Sequence, residues 1–297
     1  MGFKQELLEF THAKILLNEP MKKHTGYGVG GKSLYYAEID SLYTLNEIVL
    51  LCKNYKVPYK IIGNGTNLLV SDKGYNGLII NTKKLKDVFF NKSQIKAMSG
   101  APLQKLINFC CENNLGGLEA LSGIPATIGG AIVMNAGAFG HTISEKIISV
   151  ETLLDGKIKK YYNKDCRFGY RESRFLGKKE IIVSATFEFD KVERRIAQES
   201  INAYLELRKS MHPIGRTCGS VFKNPAGLSA GKLIDDLFLK GYTVGGAKIS
   251  EKHCNFIVAK PKATAKDIAT LIECVKQKVY NKYKIRLKEE IEYVGEF

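Results

Sequence analysis

The chain has 297 residues, 44% of them hydrophobic, and a formal net charge of +15. That length accommodates two or three domains, and no apolar run approaches the ~18 residues of a membrane-spanning helix. Lys4, Glu6, Glu9, Lys14 and Glu19 break up the region where a secretion signal would carry its apolar core, so neither membrane insertion nor export is expected.

The basic residues are dispersed, and short groups such as Lys157, Lys159 and Lys160 do not build a basic helix. The charge suits small anionic ligands, and no nucleic acid partner is expected. Cys52, Cys110, Cys111, Cys166, Cys218, Cys254 and Cys274 are an odd number without CxxC spacing, which argues for a reducing compartment, the cytoplasm. His12, His24, His141, His212 and His253 form neither HxH nor HExxH, so no metal site is expected.

In chain order, Leu7, Leu8, Phe10, Ile15 and Leu17 among charged residues predict a first helix over 5–17. A helix over 42–55 follows, then short strands over 59–62 and 78–81, with a glycine turn from Gly63 to Gly65 directly after the first. A second unit begins near Ser93, where Pro102 opens a helix that runs to about Asn113 and stops before Gly116 and Gly117. Strands are predicted over 147–154 and 180–189, then a charged helix over 192–209. Pro213 and Gly215 interrupt the helical pattern and mark a boundary within 211–217. The last unit carries helices near 230–239 and 263–283 and strands near 255–259 and 290–294. The pattern is α+β, without internal repeats.

Nine of the eighteen residues from Gly123 to Gly140, GIPATIGGAIVMNAGAFG, are Gly or Ala. Such a backbone closes against a planar or phosphorylated ligand, or forms a tight turn between layers; both readings stand. Gly63-Asn64-Gly65-Thr66-Asn67 ends a predicted strand, where successive N–H groups form either an anion-binding nest or an ordinary glycine turn. Its spacing is neither the P-loop nor the Rossmann fingerprint. His24 to Gly31 is a third permissive segment.

Arg171, in Phe168 to Ser173, suits a planar carboxylate through two parallel hydrogen bonds, or a salt bridge with Glu172. Ser220, in Gly219 to Pro225, is a proton donor, a ligand hydroxyl, or a turn or capping residue, and the segment lacks a nucleophile elbow. Glu290 falls in an alternating stretch that predicts a strand with one exposed acidic side. It serves as an acid only if burial raises its pKa.

Taken in order, Thr25 to Gly31, IIGNGTNLLV from Ile61 to Val70, the Gly123 to Gly140 segment, FGYRES, GSVFKNP and the terminal acidic stretch span nearly the whole chain. Together they resemble the UDP-N-acetylenolpyruvoylglucosamine reductase family, in its shorter second type. The resemblance implies an α+β fold: a two-part FAD-binding domain of the vanillyl-alcohol-oxidase type over 1–210 (about 1–90 and 91–210) and a smaller substrate domain over 211–297.

It further implies NADPH-dependent reduction of UDP-N-acetylenolpyruvoylglucosamine to UDP-N-acetylmuramate through FAD, in peptidoglycan precursor synthesis. Arg171, Ser220 and Glu290 match the family's active-site positions. Expected FAD contacts are Gly63, Asn64, Gly65, Thr66, Asn67, Gly123, Ile124, Gly129, Gly130, Asn135, Ala136 and Gly137. An FAD enzyme for another substrate and a non-catalytic sugar-nucleotide-binding protein are the alternatives. The chain departs from the family pattern at Ala259, usually Asn, and at Phe238, commonly Gly.

Overall fold

The computed structural model describes residues 2–91 and 93–297. The chain forms two compact units: Met1–Leu16, Tyr35–Asn64 and Gly77–Arg208 in the first, Leu17–Leu34, Gly65–Asn76 and Lys209–Phe297 in the second.

The first unit has two hydrophobic cores. One gathers around helices α1 (Phe3–Leu8) and α2 (Leu42–Asn54). Ser41 caps α2 by accepting the Thr44 N–H at 3.1 Å, and Leu45, Ile48, Val49 and Cys52 recur at helical spacing on its buried face. They share a core with Leu78 and Ile80 of strand Tyr75–Asn81, which pairs in parallel with Tyr59–Ile62. Both strands belong to a four-stranded sheet with Lys32–Ile39 and Ala13–Pro20.

Only the start of the predicted 5–17 helix is helical. α1 stops at Leu8, burying Phe3 and Leu7 four residues apart, and Ala13–Pro20 is a strand at the edge of that sheet. A short helix is marginal by itself, and sheet pairing of the Ile15 to Leu17 backbone overrides the local apolar pattern.

The second core lies under a five-stranded antiparallel sheet ordered Lys157–Tyr162, Ile147–Leu154, Ile181–Phe187, Gln94–Met98, Val88–Asn91. Helix α3 (Leu103–Glu112) starts after Pro102 and buries Leu103, Leu106, Ile107, Cys110 and Cys111 in it. Helix α4 (Ile128–Val133) adds Ile128, Ala131 and Ile132. Lys157, Lys159 and Lys160 lie on the exposed edge strand, where charge discourages further strand pairing. Helix α5 (Arg194–Met211) buries only Ala197 and Ile201.

In the second unit, α6 (Ala230–Asp235) and α7 (Ala265–Tyr283) share one core with a three-stranded sheet of Thr243–Val244, Ala247–Ile249 and Ile257–Ala259. Ile268, Leu271, Ile272, Val275 and Val279 form the buried stripe of α7. The predicted 230–239 helix ends early, because Phe238 takes a left-handed φ of +55° that no α-helix continues through. The last strand is Glu292–Val294, parallel to Leu68–Val70. No helix among the described residues is long and apolar enough to cross a membrane.

Candidate active site

Within the first unit, the Gly123 to Gly140 segment is a capped helix followed by a hairpin. Thr127 caps α4 by accepting the Gly130 N–H at 3.4 Å, while the Ile128 and Gly129 amides donate to Ala101 O at 2.8 Å and Ser99 O at 2.7 Å. The first-turn donors of α4 are thus taken by the protein itself. Gly137–Ala138 then pairs antiparallel with His141–Thr142.

Several of these glycines also meet other parts of the chain closely. A Cβ on Gly63 would collide with Thr127 Oγ1, and one on Gly129 would lie 3.1 Å from Ser99 Cβ. Asn64 Nδ2 donates to Pro125 O at 3.0 Å, so Gly63 and Asn64 meet the Gly123 to Gly140 segment directly. Gly130 is different: it is exposed, and a Cβ there would meet only Thr127 Oγ1 at 3.5 Å.

The residues present fit a flavin dinucleotide. The Asn64 and Gly65 amides have no acceptor among the described residues, which suits phosphate oxygens. Beside exposed Gly123, the buried Ser122 hydroxyl likewise lacks a partner among the described residues. Gly123 and Ile124, with Gln104, Asn108 and Leu205, line a cavity of about 520 Å³. The Arg208 Nε donates to Ser122 O at 2.9 Å, and burial lowers the Arg208 pKa.

Arg171 sits in a tight turn in which Gly169 and Glu172 exchange backbone hydrogen bonds of 3.0 and 3.2 Å. Its φ is +54°, and its Nη2 donates to Gly137 O at 2.8 Å. Asn135 Nδ2 donates to Gly169 O at 2.9 Å and ties the turn to the end of α4. The Ala136 amide, donating to Ala131 O at 2.7 Å, closes that helix end. Asn135, Ala136, Gly137 and Arg171 therefore form one local group, with the guanidinium held against the Gly137 backbone.

The second unit holds Gly65, Thr66, Asn67, Ser220 and Glu290. A Cβ on Gly65 would collide with His24 O, and the Gly26 amide donates to Gly65 O at 3.0 Å. Thr66 Cα lies 3.3 Å from where a Gly26 Cβ would be. Thr25 Oγ1 donates to Val29 O at 2.8 Å, so Thr25 is a turn residue.

Ser220 and Glu290 lie on adjacent extended segments. The Glu290 N–H donates to Val221 O at 2.7 Å, and the Lys223 N–H to Lys288 O at 2.9 Å. On the opposite edge, the Val221 N–H donates to Asn255 O at 2.8 Å. Asn67 Nδ2 donates to Glu290 O at 3.0 Å. Glu290 precedes the last strand and is half-buried, so the expectation of an exposed acidic strand face fails: its segment is laid against Val221. The neighbouring Cys218 thiol is pushed up to about 12 by burial and is a poor nucleophile.

Sequence reasoning missed Asn255, whose side chain bonds Phe222 across 33 positions. No local pattern marks such a pair. All seven cysteines are free, and no group of three or more His, Cys, Asp or Glu among the described residues could hold a metal ion.

Two family models match the chain: an FAD binding domain over 33–160, and the C-terminal domain of UDP-N-acetylenolpyruvoylglucosamine reductase over 210–294. A UDP-N-acetylenolpyruvoylglucosamine reductase of Clostridium botulinum (strain Okra / Type B1) is 40% identical over 288 residues, covering 95% of this chain and 93% of its own. The Listeria innocua protein of that name is 39% identical, covering 97% of each chain. The crystal structure of UDP-N-acetylenolpyruvylglucosamine reductase from Thermus caldophilus matches with a TM-score of 0.81 at 31% identity, over 95% of this chain and 99% of that one. A BBE-like 1 variant of Physcomitrella patens matches in fold alone, with a TM-score of 0.50 at 16% identity over 64% of this chain and 45% of that one.

Proposed function

The chain belongs to the UDP-N-acetylenolpyruvoylglucosamine reductase family, and we propose that Arg171, Ser220 and Glu290 carry its reaction. It is an FAD-containing, NADPH-dependent reductase of peptidoglycan precursor synthesis, and its product is UDP-N-acetylmuramate. The contribution of bound FAD is hydride transfer, from NADPH and then to C3 of the enolpyruvyl group. Gly63, Asn64, Gly65, Thr66 and Asn67, with the Gly123 to Gly137 backbone, would hold it.

The protein's own part is to bind the enolpyruvyl carboxylate, stabilise the charge that grows on it as hydride adds to C3, and deliver a proton to C2. Arg171 performs the first two tasks. Its guanidinium is a planar, permanent cation, pre-oriented by the Gly137 carbonyl. The Ser220 hydroxyl donates the proton to C2, and Glu290 orients and polarises the carboxylate. We assign the sugar nucleotide to the substrate domain over 211–297 and FAD to the two-part domain over 1–210. The seven free cysteines support a reducing compartment, the cytoplasm, for this reaction.

The observation that carries the assignment of Ser220 and Glu290 is the 2.7 Å hydrogen bond from the Glu290 N–H to Val221 O, which places a hydroxyl and a carboxyl on neighbouring backbone segments. Absorption spectroscopy tests the function. The purified protein should be yellow, bleach on NADPH, and regain colour on adding enolpyruvyl-UDP-N-acetylglucosamine. Bleaching without recovery would point to an FAD enzyme with another substrate, and a colourless protein that binds the sugar nucleotide would be non-catalytic.

A further inference from the structure

Ser220 lies between a glycine in the left-handed region and the buried residues Val221 and Phe222. Gly219, immediately before it, has a φ of +78° and open space where a Cβ would be, and Gly227 beyond Pro225 has a φ of +70° and equally open surroundings. Asn224 and Ala226 are exposed. The direction of a serine hydroxyl depends on how the backbone around it is held.

The side chain of Asn255 holds it. Its Oδ1 accepts the Phe222 N–H at 2.9 Å and its Nδ2 donates to Phe222 O at 2.8 Å, so one amide group satisfies both backbone groups of that residue. The Asn255 backbone carbonyl accepts the Val221 N–H at 2.8 Å, and Ser220 itself bridges to Phe256. Asn255 is 4% exposed and Phe222 2%, so water does not compete for these bonds. Asn255 is fixed in turn: its own N–H donates to His253 Nδ1 at 3.2 Å, and the His253 ring abuts Gly231 of α6, where a Cβ would come within 3.1 Å. A carboxamide has one donor and one acceptor end in a fixed plane; aspartate keeps only the acceptor, and leucine neither.

We propose that Asn255 is a positioning residue for the Ser220 hydroxyl, acting through the backbone of Val221 and Phe222. The proposal rests on the reading of Ser220 as the proton donor at C2. Asn255 aims that hydroxyl and has no part in flavin reduction.

The test compares wild-type holoenzyme with Asn255→Asp, Ser220→Ala and the double variant in stopped-flow absorbance, with NADPH and enolpyruvyl substrate added in separate steps. Asn255→Asp should reduce with NADPH within about twofold of wild type but reoxidise about 10- to 100-fold more slowly, the scale of a misplacement near 1 Å. In the Ser220→Ala background the same change should add less than about twofold, because the group it aims is gone. Amide hydrogen exchange at Val221 and Phe222 should speed up in Asn255→Asp. If that variant does not yield holoenzyme, Asn255→Gln, which carries both ends of the amide on a longer arm, is measured in the same way. Equal slowing in the two backgrounds, or equal slowing of both half-reactions, would overturn the positioning role alone. Wild-type reoxidation by Ser220→Ala would overturn the donor reading, and the proposal with it.

Discussion

The Glu290 N–H donates to the Val221 carbonyl at 2.7 Å, and Asn67 Nδ2 donates to the Glu290 carbonyl at 3.0 Å. The backbone of the acid is thereby held on both sides. The same bond sets the Glu290 backbone beside Val221, the residue that follows Ser220.

Arg171→Lys keeps the positive charge but removes the planar fork that binds a carboxylate through two parallel bonds. Reoxidation by the enolpyruvyl substrate should slow by about 100-fold, the scale of losing one oriented donor, with flavin content unchanged. Single-turnover absorbance reads the rate, and a loss below threefold would remove Arg171 from charge stabilisation.

Asp72 caps α7 from a distant part of the same unit. Its Oδ1 accepts the Ala265 N–H and its Oδ2 the Lys266 N–H, both at 2.9 Å, beside the reciprocal Thr264 and Asp267 cap. Asp72→Ala removes a carboxylate from a helix N-terminus and should cost about 1 kcal/mol of stability. Urea unfolding measures it, and an unchanged midpoint would show that the cap contributes nothing.

Burial lowers the His253 pKa below its ordinary 6.5, and the neutral ring accepts the Asn255 N–H on Nδ1. The unfolded chain therefore takes up this proton at a higher pH than the folded chain. Stability is at its full value above 6.5 and is lost as pH falls toward the lower folded value. His253→Gln should flatten the thermal midpoint across that window, and an unchanged slope would contradict the assignment.

How far this was legible from residues alone depended on distance along the chain. The strands Tyr59–Ile62 and Ile147–Leu154 and helix α2 follow local periodicity and fall where the pattern puts them. The 5–17 helix failed because sheet partners decide that segment. The glycine segments were found, but not their physical reason: Gly63 is small because of Thr127, and Gly65 because of His24. The φ of +55° at Phe238 is a conformation natural to glycine, which accounts for the residue common in the family, and the Phe238 ring is 92% exposed. Ala259 is buried at 5% in the strand Ile257–Ala259. The Asn255 clamp and the Glu290 to Val221 bond join positions that no local window contains.

The central claim is that Ser220 supplies the proton in the second half-reaction only. The most direct measurement is stopped-flow absorbance of Ser220→Ala against wild type, with NADPH and then enolpyruvyl substrate. Bleaching by NADPH should proceed within about twofold of the wild-type rate, while reoxidation by the substrate falls by about 10²- to 10⁴-fold, the range for loss of a general acid. Reoxidation at the wild-type rate, or equal slowing of both steps, would contradict it.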